Sequence, residues 1–187
     1  RVSTAQACRR AISVATSYDA AVYLDGSRAT ISRSFITNQL GYALLLPDSY
    51  NSSFNLIDLS TITNASSSYP ALYMGGAATN TISNSYIQGF EAVYIAGSTG
   101  TVIGGSVLIA TNTSGSAVYM HNGSVNLTLT SSTFKGGPLG SGMLFGSYGS
   151  GMIALTSNTI TGGSFGVNIG TMTCGTCVGN VSITSLT

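Results

Sequence analysis

Ile82-Ser-Asn-Ser-Tyr-Ile-Gln-Gly-Phe-Glu-Ala-Val-Tyr-Ile-Ala96 holds, in fifteen residues, the two phrases from which most of the chain is built. The later phrase, Ala92-Val93-Tyr94-Ile95-Ala96, has relatives that begin at Ala21, Ala43, Ala71, Ala117, Gly142 and Gly166. Successive starts lie 22, 28, 21, 25, 25 and 24 residues apart. The earlier phrase is apolar-x-x-Ser-x-apolar, here Ile82/Ser85/Ile87. It recurs as Ile31/Ser34/Ile36, Ile57/Ser60/Ile62, Ile103/Ser106/Leu108, Leu129/Ser132/Phe134 and Leu155/Asn158/Ile160, with a degenerate copy at Ile183. Both phrases keep phase with each other over the whole run.

A period of two dozen residues is too long for one hairpin strand and suits one turn of a solenoid. The phrases are short, rich in β-branched and aromatic residues, and bounded by Gly, Asn, Ser or Asp, so they read as strands. Helical periodicity is absent from them. A single turn cannot bury its apolar side, whereas stacked turns share one core. The expected fold is all-β: a single parallel β-helix of about seven coils over residues 20–187, roughly 34 Å long at the inter-strand spacing of ~4.8 Å.

Alternation within strands assigns the faces. Val22/Leu24, Leu44/Leu46, Leu72/Met74, Val93/Ile95, Val118/Met120, Met143/Phe145 and Val167/Ile169 are expected to point inward. The column Ser34, Ser60, Ser85, Ser106, Ser132 and Asn158 should stack inward at a bend and bond backbone or neighbouring hydroxyls. A nucleophile would not need five copies. Outward lies Tyr23, Leu45, Tyr73, Tyr94, Tyr119, Leu144 and Asn168, with an Ala/Gly column expected to flank it as a flat strip. Three uses fit such a strip: an interface with other subunits or domains, tyrosines stacking on a glycan, or aromatic stacking that only stabilises the sheet.

These phrases and their coil length resemble the right-handed β-helix of the pectin-lyase-like superfold, over nearly the whole chain from Ala20 onward. The superfold includes polysaccharide lyases and hydrolases, viral and phage tailspikes, and secreted adhesins. Resemblance to its enzymes implies acidic clusters, with calcium and an arginine base in the lyases. Here the acids are Asp19, Asp25, Asp48, Asp58 and Glu91, spread over about four coils. Asp25 and Asp48 follow equivalent strands and make the best pair, with Arg28 and Arg33 nearby; turn aspartates bonding their own backbone are the plainer account. His121, the only histidine, follows a strand four coils from Asp25 and reads as a loop residue without an acid beside it. No catalytic constellation, metal site or cofactor is expected.

Residues 4–12, with Thr4 as N-cap, read as a short capping helix or as part of an irregular first coil over residues 1–19. Cys174-Gly-Thr-Cys177 lacks the further ligands zinc needs and the helix start of a redox motif, so a local disulfide is favoured over free buried thiols. Cys8 lies at the opposite end, free or paired outside the segment; head-to-tail assembly would bring it near the next subunit's cysteines.

Composition narrows the partners. Charged residues make up 6% of the 187, against roughly 25% in ordinary domains. A net charge of +1 gives no pull on nucleic acid. No apolar run approaches the ~20 residues of a membrane helix. Mean hydropathy is positive, so the surface needs covering. Sequons at Asn51, Asn64, Asn112, Asn122, Asn126 and Asn180 are a mild excess for so Ser/Thr-rich a chain and are candidate glycan sites. The chain starts at Arg1 and its last residues are strand-like with no cap, so it reads as a processed product or excised piece of a larger one. The expectation is a non-enzymatic structural or adhesive module, located outside the cell or on a cell or virion surface. It would belong to a filament, appendage or spike, with protein partners at the strip and the open ends. A polysaccharide-degrading protein is the alternative. An ice-binding solenoid ranks last because the outward positions mix Thr, Ser, Asn and Arg.

Overall fold

A computed structural model of the chain describes residues 11–14, 19–24, 28–47, 54–76, 79–98, 100–121, 126–146, 151–169 and 179–184. Among them the regular structure is β-strand throughout. The strands fall into three seven-stranded sheets, and each strand pairs in parallel with those three places before and after it in the chain. Three sheets wound in that order form a parallel β-solenoid, in which every backbone ladder runs between successive turns.

The first sheet comprises Ala11–Val14, Phe35–Asn38, Thr61–Asn64, Tyr86–Gly89, Val107–Ala110, Thr133–Lys135 and Thr159–Thr161. The pentad phrases supply the second: Val22–Tyr23, Leu44–Leu46, Leu72–Gly75, Val93–Ala96, Val118–His121, Ser141–Phe145 and Phe165–Ile169. The third is Thr30–Ser32, Asn55–Asp58, Asn80–Ser83, Thr101–Gly104, Leu127–Thr130, Gly151–Thr156 and Gly179–Thr184. The serine phrase therefore spans a corner: its first apolar residue closes the third sheet and its second opens the first. Register repeats the sequence phase, with Val93 opposite both Leu72 and Val118, and Ile87 opposite both Ile62 and Leu108.

The inward columns form one continuous core. Leu44, Leu46, Leu72, Met74, Val93, Ile95, Val118, Met120, Met143 and Phe145 are buried. They meet Ile36, Ile62, Ile87, Leu108 and Phe134 from the first sheet and Ile57, Ile82, Ile103, Leu129 and Leu155 from the third. Each such side chain contributes about 1.5–3 kcal/mol through area removed from water. At the last described rung of the second sheet Val167 is half-buried and Ile169 is 46% exposed; among the described residues that strand pairs with the rung before it and no other.

The serine column is buried and bonded along its length. Ser34 N–H donates to Ser60 Oγ at 3.2 Å, Ser60 N–H to Ser85 Oγ at 3.1 Å, and Ser85 N–H to Ser106 Oγ at 3.1 Å. Ser106 N–H donates to Ser132 Oγ at 3.1 Å, and Ser132 N–H to Asn158 Oδ1 at 3.0 Å. Each hydroxyl in turn donates to the carbonyl two residues earlier, as Ser85 Oγ does to Ser83 O at 2.7 Å. The corner is tight because the residue before each serine lies in the left-handed region: Arg33 (φ 50°), Leu59 (49°), Asn84 (48°), Gly105 (58°), Ser131 (48°) and, before Asn158, Ser157 (55°). For side chains other than glycine that conformation costs about 1–2 kcal/mol each. The ladder offsets it by satisfying backbone groups that water cannot reach.

Two expectations need correction. The Ala/Gly column does not flank the tyrosines on the surface: Ala43, Ala71, Ala92 and Ala117 are fully buried. They line a corner where a larger side chain has no room. A Cβ added to Gly142 would lie 2.5 Å from Ile160 Cγ2, and one added to Gly89 would lie 2.8 Å from Ala71 Cβ. The helix suggested over residues 4–12 fails at its end, where Ala11–Val14 is a strand paired in parallel with Phe35–Asn38. Its earlier residues lie outside those described. The solenoid already includes part of the segment assigned to a cap or irregular first coil.

Candidate functional site: the tyrosine face of the second sheet

The outward column predicted from sequence is a single column in space. Tyr23 pairs with Leu45, Leu45 with Tyr73, Tyr73 with Tyr94, Tyr94 with Tyr119, Tyr119 with Leu144, and Leu144 with Asn168. Tyr23 is 56% exposed, whereas Leu45, Tyr73, Tyr94, Tyr119 and Leu144 are half-buried. What half-buries the tyrosines is largely other aromatic rings. Tyr73 and Tyr94 stack with centroids 5.2 Å apart and planes 13° from parallel. Tyr94 and Tyr119 meet edge-on at 5.0 Å. Tyr42, in the connection ahead of its strand, packs edge-on against Tyr73 at 5.7 Å and against Tyr69 at 4.9 Å. Such pairs each add about 0.5–1.5 kcal/mol beyond burial.

Two ionisable groups border the rings. His121 closes the strand Val118–His121 and lies on the tyrosine side, two residues beyond Tyr119. Its ring centroid is 5.8 Å from Tyr119 and 6.5 Å from Tyr94. Its Nδ1 is buried and has no hydrogen-bond partner among the described residues. Glu91 stands just ahead of the strand. Burial pushes its carboxyl from 4.5 up to about 7. Burial, then the neighbouring phenols Tyr119 and Tyr73, then Glu91 and Tyr42, push the Tyr94 phenol to about 12. Tyr119 is raised by burial and then by Glu91, and Tyr42 by burial and then by its tyrosine neighbours. Gly146 leaves space for Tyr119: a Cβ there would lie 2.9 Å from the ring.

Chemically this face is a run of aromatic rings and phenols bordered by Glu91 and His121. Tyr73 and Tyr94 each have a neighbouring ring on both sides along the column, and they stack face to face on each other.

The other singled-out residues are scattered. Asp58 Oδ1 accepts from Ser83 Oγ at 2.7 Å and from Asn84 Nδ2 at 3.2 Å, bracing the outside of the serine corner. Arg28 sits over the Phe54 ring at 4.7 Å. Asp25, Asp48, Cys8, Cys174, Cys177, Asn51 and Asn122 lie outside the described residues. Among the described residues, no group of three or more His, Cys, Asp or Glu side chains is placed to hold a metal ion, and no helix is long and apolar enough to cross a membrane. Of the sequons, Asn112 and Asn126 lie in the connections between sheets, and Asn180 falls within the strand Gly179–Thr184. Asn64 does not fit a glycan site in the folded rod. It is 6% exposed, and its Nδ2 donates to Gly41 O at 3.0 Å and Tyr69 O at 2.7 Å.

The sequence reading missed Tyr42 and Tyr69, which lie outside the repeated phrases, and it placed His121 in a loop without neighbours. The alternation itself carried a signal for His121: it falls two residues after Tyr119, on the same face.

Residues 20–184 match the family model described as the right-handed β-helix region, and the chain belongs to that family. The winding is thus the right-handed, pectin-lyase-like β-helix that the resemblance of the repeated phrases implied. No curated protein and no solved structure matches the chain. The family defines an architecture on which catalytic and non-catalytic proteins are both built.

Proposed function

We propose that this chain is an extracellular structural or adhesive β-helix module, glycosylated and part of a larger chain, filament, appendage or spike. We further propose that a partner protein or subunit packs on its tyrosine face. The observation that carries this reading is the ladder Tyr42–Tyr73–Tyr94–Tyr119, a continuous, half-buried aromatic strip on a chain with 6% charged residues. Interface cores favour that composition, tyrosine-rich and poor in charge. Negative-stain imaging and sedimentation of the native material test it. Fibres or oligomers are expected, weakened by Tyr94→Ser; isolated rods at every concentration would contradict it.

One observation favours a second reading, a carbohydrate-active protein. Burial raises the Glu91 carboxyl to about 7, the direction in which a general acid is tuned. Hydrolysis at such a site needs a second carboxylate, and Asp58, on the third sheet, is engaged by Ser83 and Asn84. Loss of polyuronate cleavage in Glu91→Gln, Asp25→Asn or Asp48→Asn would establish this reading.

A further inference from the structure

Three sequons have described side chains, and their asparagines differ in what holds the carboxamide. At Asn64 both amide hydrogens are committed to carbonyls, Oδ1 accepts from Phe90 N–H at 3.3 Å, and the sequon's serine, Ser66, is itself buried and accepts from Ser68 and Tyr69 N–H. At Asn126 the residue is exposed, but its Oδ1 accepts from Met152 N–H of the next turn at 3.1 Å and its backbone is left-handed. At Asn112 the carboxamide serves only its own turn. Oδ1 accepts from Ser114 N–H at 2.9 Å, the turn closes with Gly115 N–H on Asn112 O at 3.1 Å, and Nδ2 donates to none of the described residues. Thr111, Thr113 and Ser114 around it are exposed.

We propose that Asn112 is an acceptor of an N-linked glycan, and that Asn64, despite an equally good sequon, is excluded from the folded protein. This rests on the extracellular reading above. The donor class is an oligosaccharide linked to a lipid pyrophosphate. Asn112 Nδ2 forms the new bond to the anomeric carbon and loses one proton, while the bond from that carbon to the pyrophosphate oxygen breaks and lipid pyrophosphate leaves. At Asn64 the same step would remove one of two buried donors and force a sugar into the wall between Gly41 and Tyr69. A chain so modified would not close that corner.

The test is secretion of the full chain behind a leader from a eukaryotic host, followed by amidase release of glycans in heavy-oxygen water and peptide mass spectrometry. The Asn112 peptide is expected to convert to labelled aspartate and the Asn64 peptide to stay unconverted. Asn112→Gln should lose one glycan's mass and still be secreted, with only the local turn bond to Ser114 N–H disturbed. A converted Asn64 in folded, secreted protein, or an unconverted Asn112, would overturn the proposal. A glycan at Asn112 from this host together with bare native protein would leave the acceptor assignment standing and count against the extracellular reading.

Discussion

The serine corner and the tyrosine face are both columns that repeat once per turn, yet they are built under different constraints. At the corner every member is buried, and the hydroxyls of Ser60, Ser85, Ser106 and Ser132 each carry two backbone hydrogen bonds, donating to a carbonyl two residues earlier and accepting from the N–H of the preceding turn. The described column has one departure, Asn158, whose carboxamide keeps the accepting role and redirects the donating one: Oδ1 accepts from Ser132 N–H, and Nδ2 donates to Leu129 O of the preceding turn at 2.7 Å. On the face, Leu45, Leu144 and Asn168 interrupt the tyrosines without disturbing strand register. A position that satisfies buried backbone is fixed in chemistry. A position that only covers the sheet is fixed in direction, and its chemistry is free for use.

Four measurements separate the buried corner from the outward face. The largest effect is expected from pH, acting on the tyrosine face. Glu91 is raised from 4.5 to about 7. Below about 4.5 it is protonated whether folded or unfolded; between those values the folded protein keeps a proton that the unfolded chain releases. Stability should therefore fall as pH rises from about 4.5 through 7 and then level off. The total loss is up to about 3 kcal/mol, read by denaturant titration across pH and flattened by Glu91→Gln. A stability that climbed over that window in wild type and not in the variant would reverse the assignment.

Next in size is the corner. Ser85→Ala strips Ser60 N–H of its acceptor and removes one of two donors to Ser83 O, which keeps Leu59 N–H, and should destabilise by about 2 kcal/mol. Ser83→Ala, which removes an outward hydroxyl bonded to Asp58, should stay within about 0.5 kcal/mol. Equal effects would erase the distinction between buried ladder and surface bond. Tyr94→Leu places on the face the residue that the same column carries at Leu45 and Leu144. It removes ring contacts with Tyr73 and Tyr119, for a loss of about 1 kcal/mol in thermal unfolding. The smallest effect runs the other way. Leu59 is 49% exposed and left-handed, so Leu59→Gly should raise stability by about 0.5–1 kcal/mol; a loss would mean that the outward leucine packs on something that matters.

Much of this architecture was legible because a solenoid repeats its constraints. Ser85 alone is an ordinary serine. Ser34, Ser60, Ser85, Ser106 and Ser132 in phase with flanking isoleucines and leucines mark a bend. The inward residues of the pentads were equally plain from alternation. The buried Ala/Gly column was misread because alternation alone puts residues two apart on one side. Ala92 and Tyr94 part company at a corner, where the chain turns and the pleat no longer governs direction. The site was only half readable. Tyr73, Tyr94 and Tyr119 lie inside the repeat, whereas Tyr42, Tyr69 and Glu91 come from connections whose lengths vary with the 21-to-28-residue spacing. Nothing periodic marks where those side chains come to rest.

The account depends on sequence-distant strands lying side by side in parallel, one turn apart. Backbone amide NOEs in the isotopically labelled protein test this directly. Contacts are predicted from the Val93–Ala96 strand to Leu72–Gly75 and Val118–His121, in the register Tyr73–Tyr94–Tyr119. Close Hα–Hα contacts between Val93–Ala96 and the next strand in the chain, Thr101–Gly104, would mean antiparallel hairpins and contradict it.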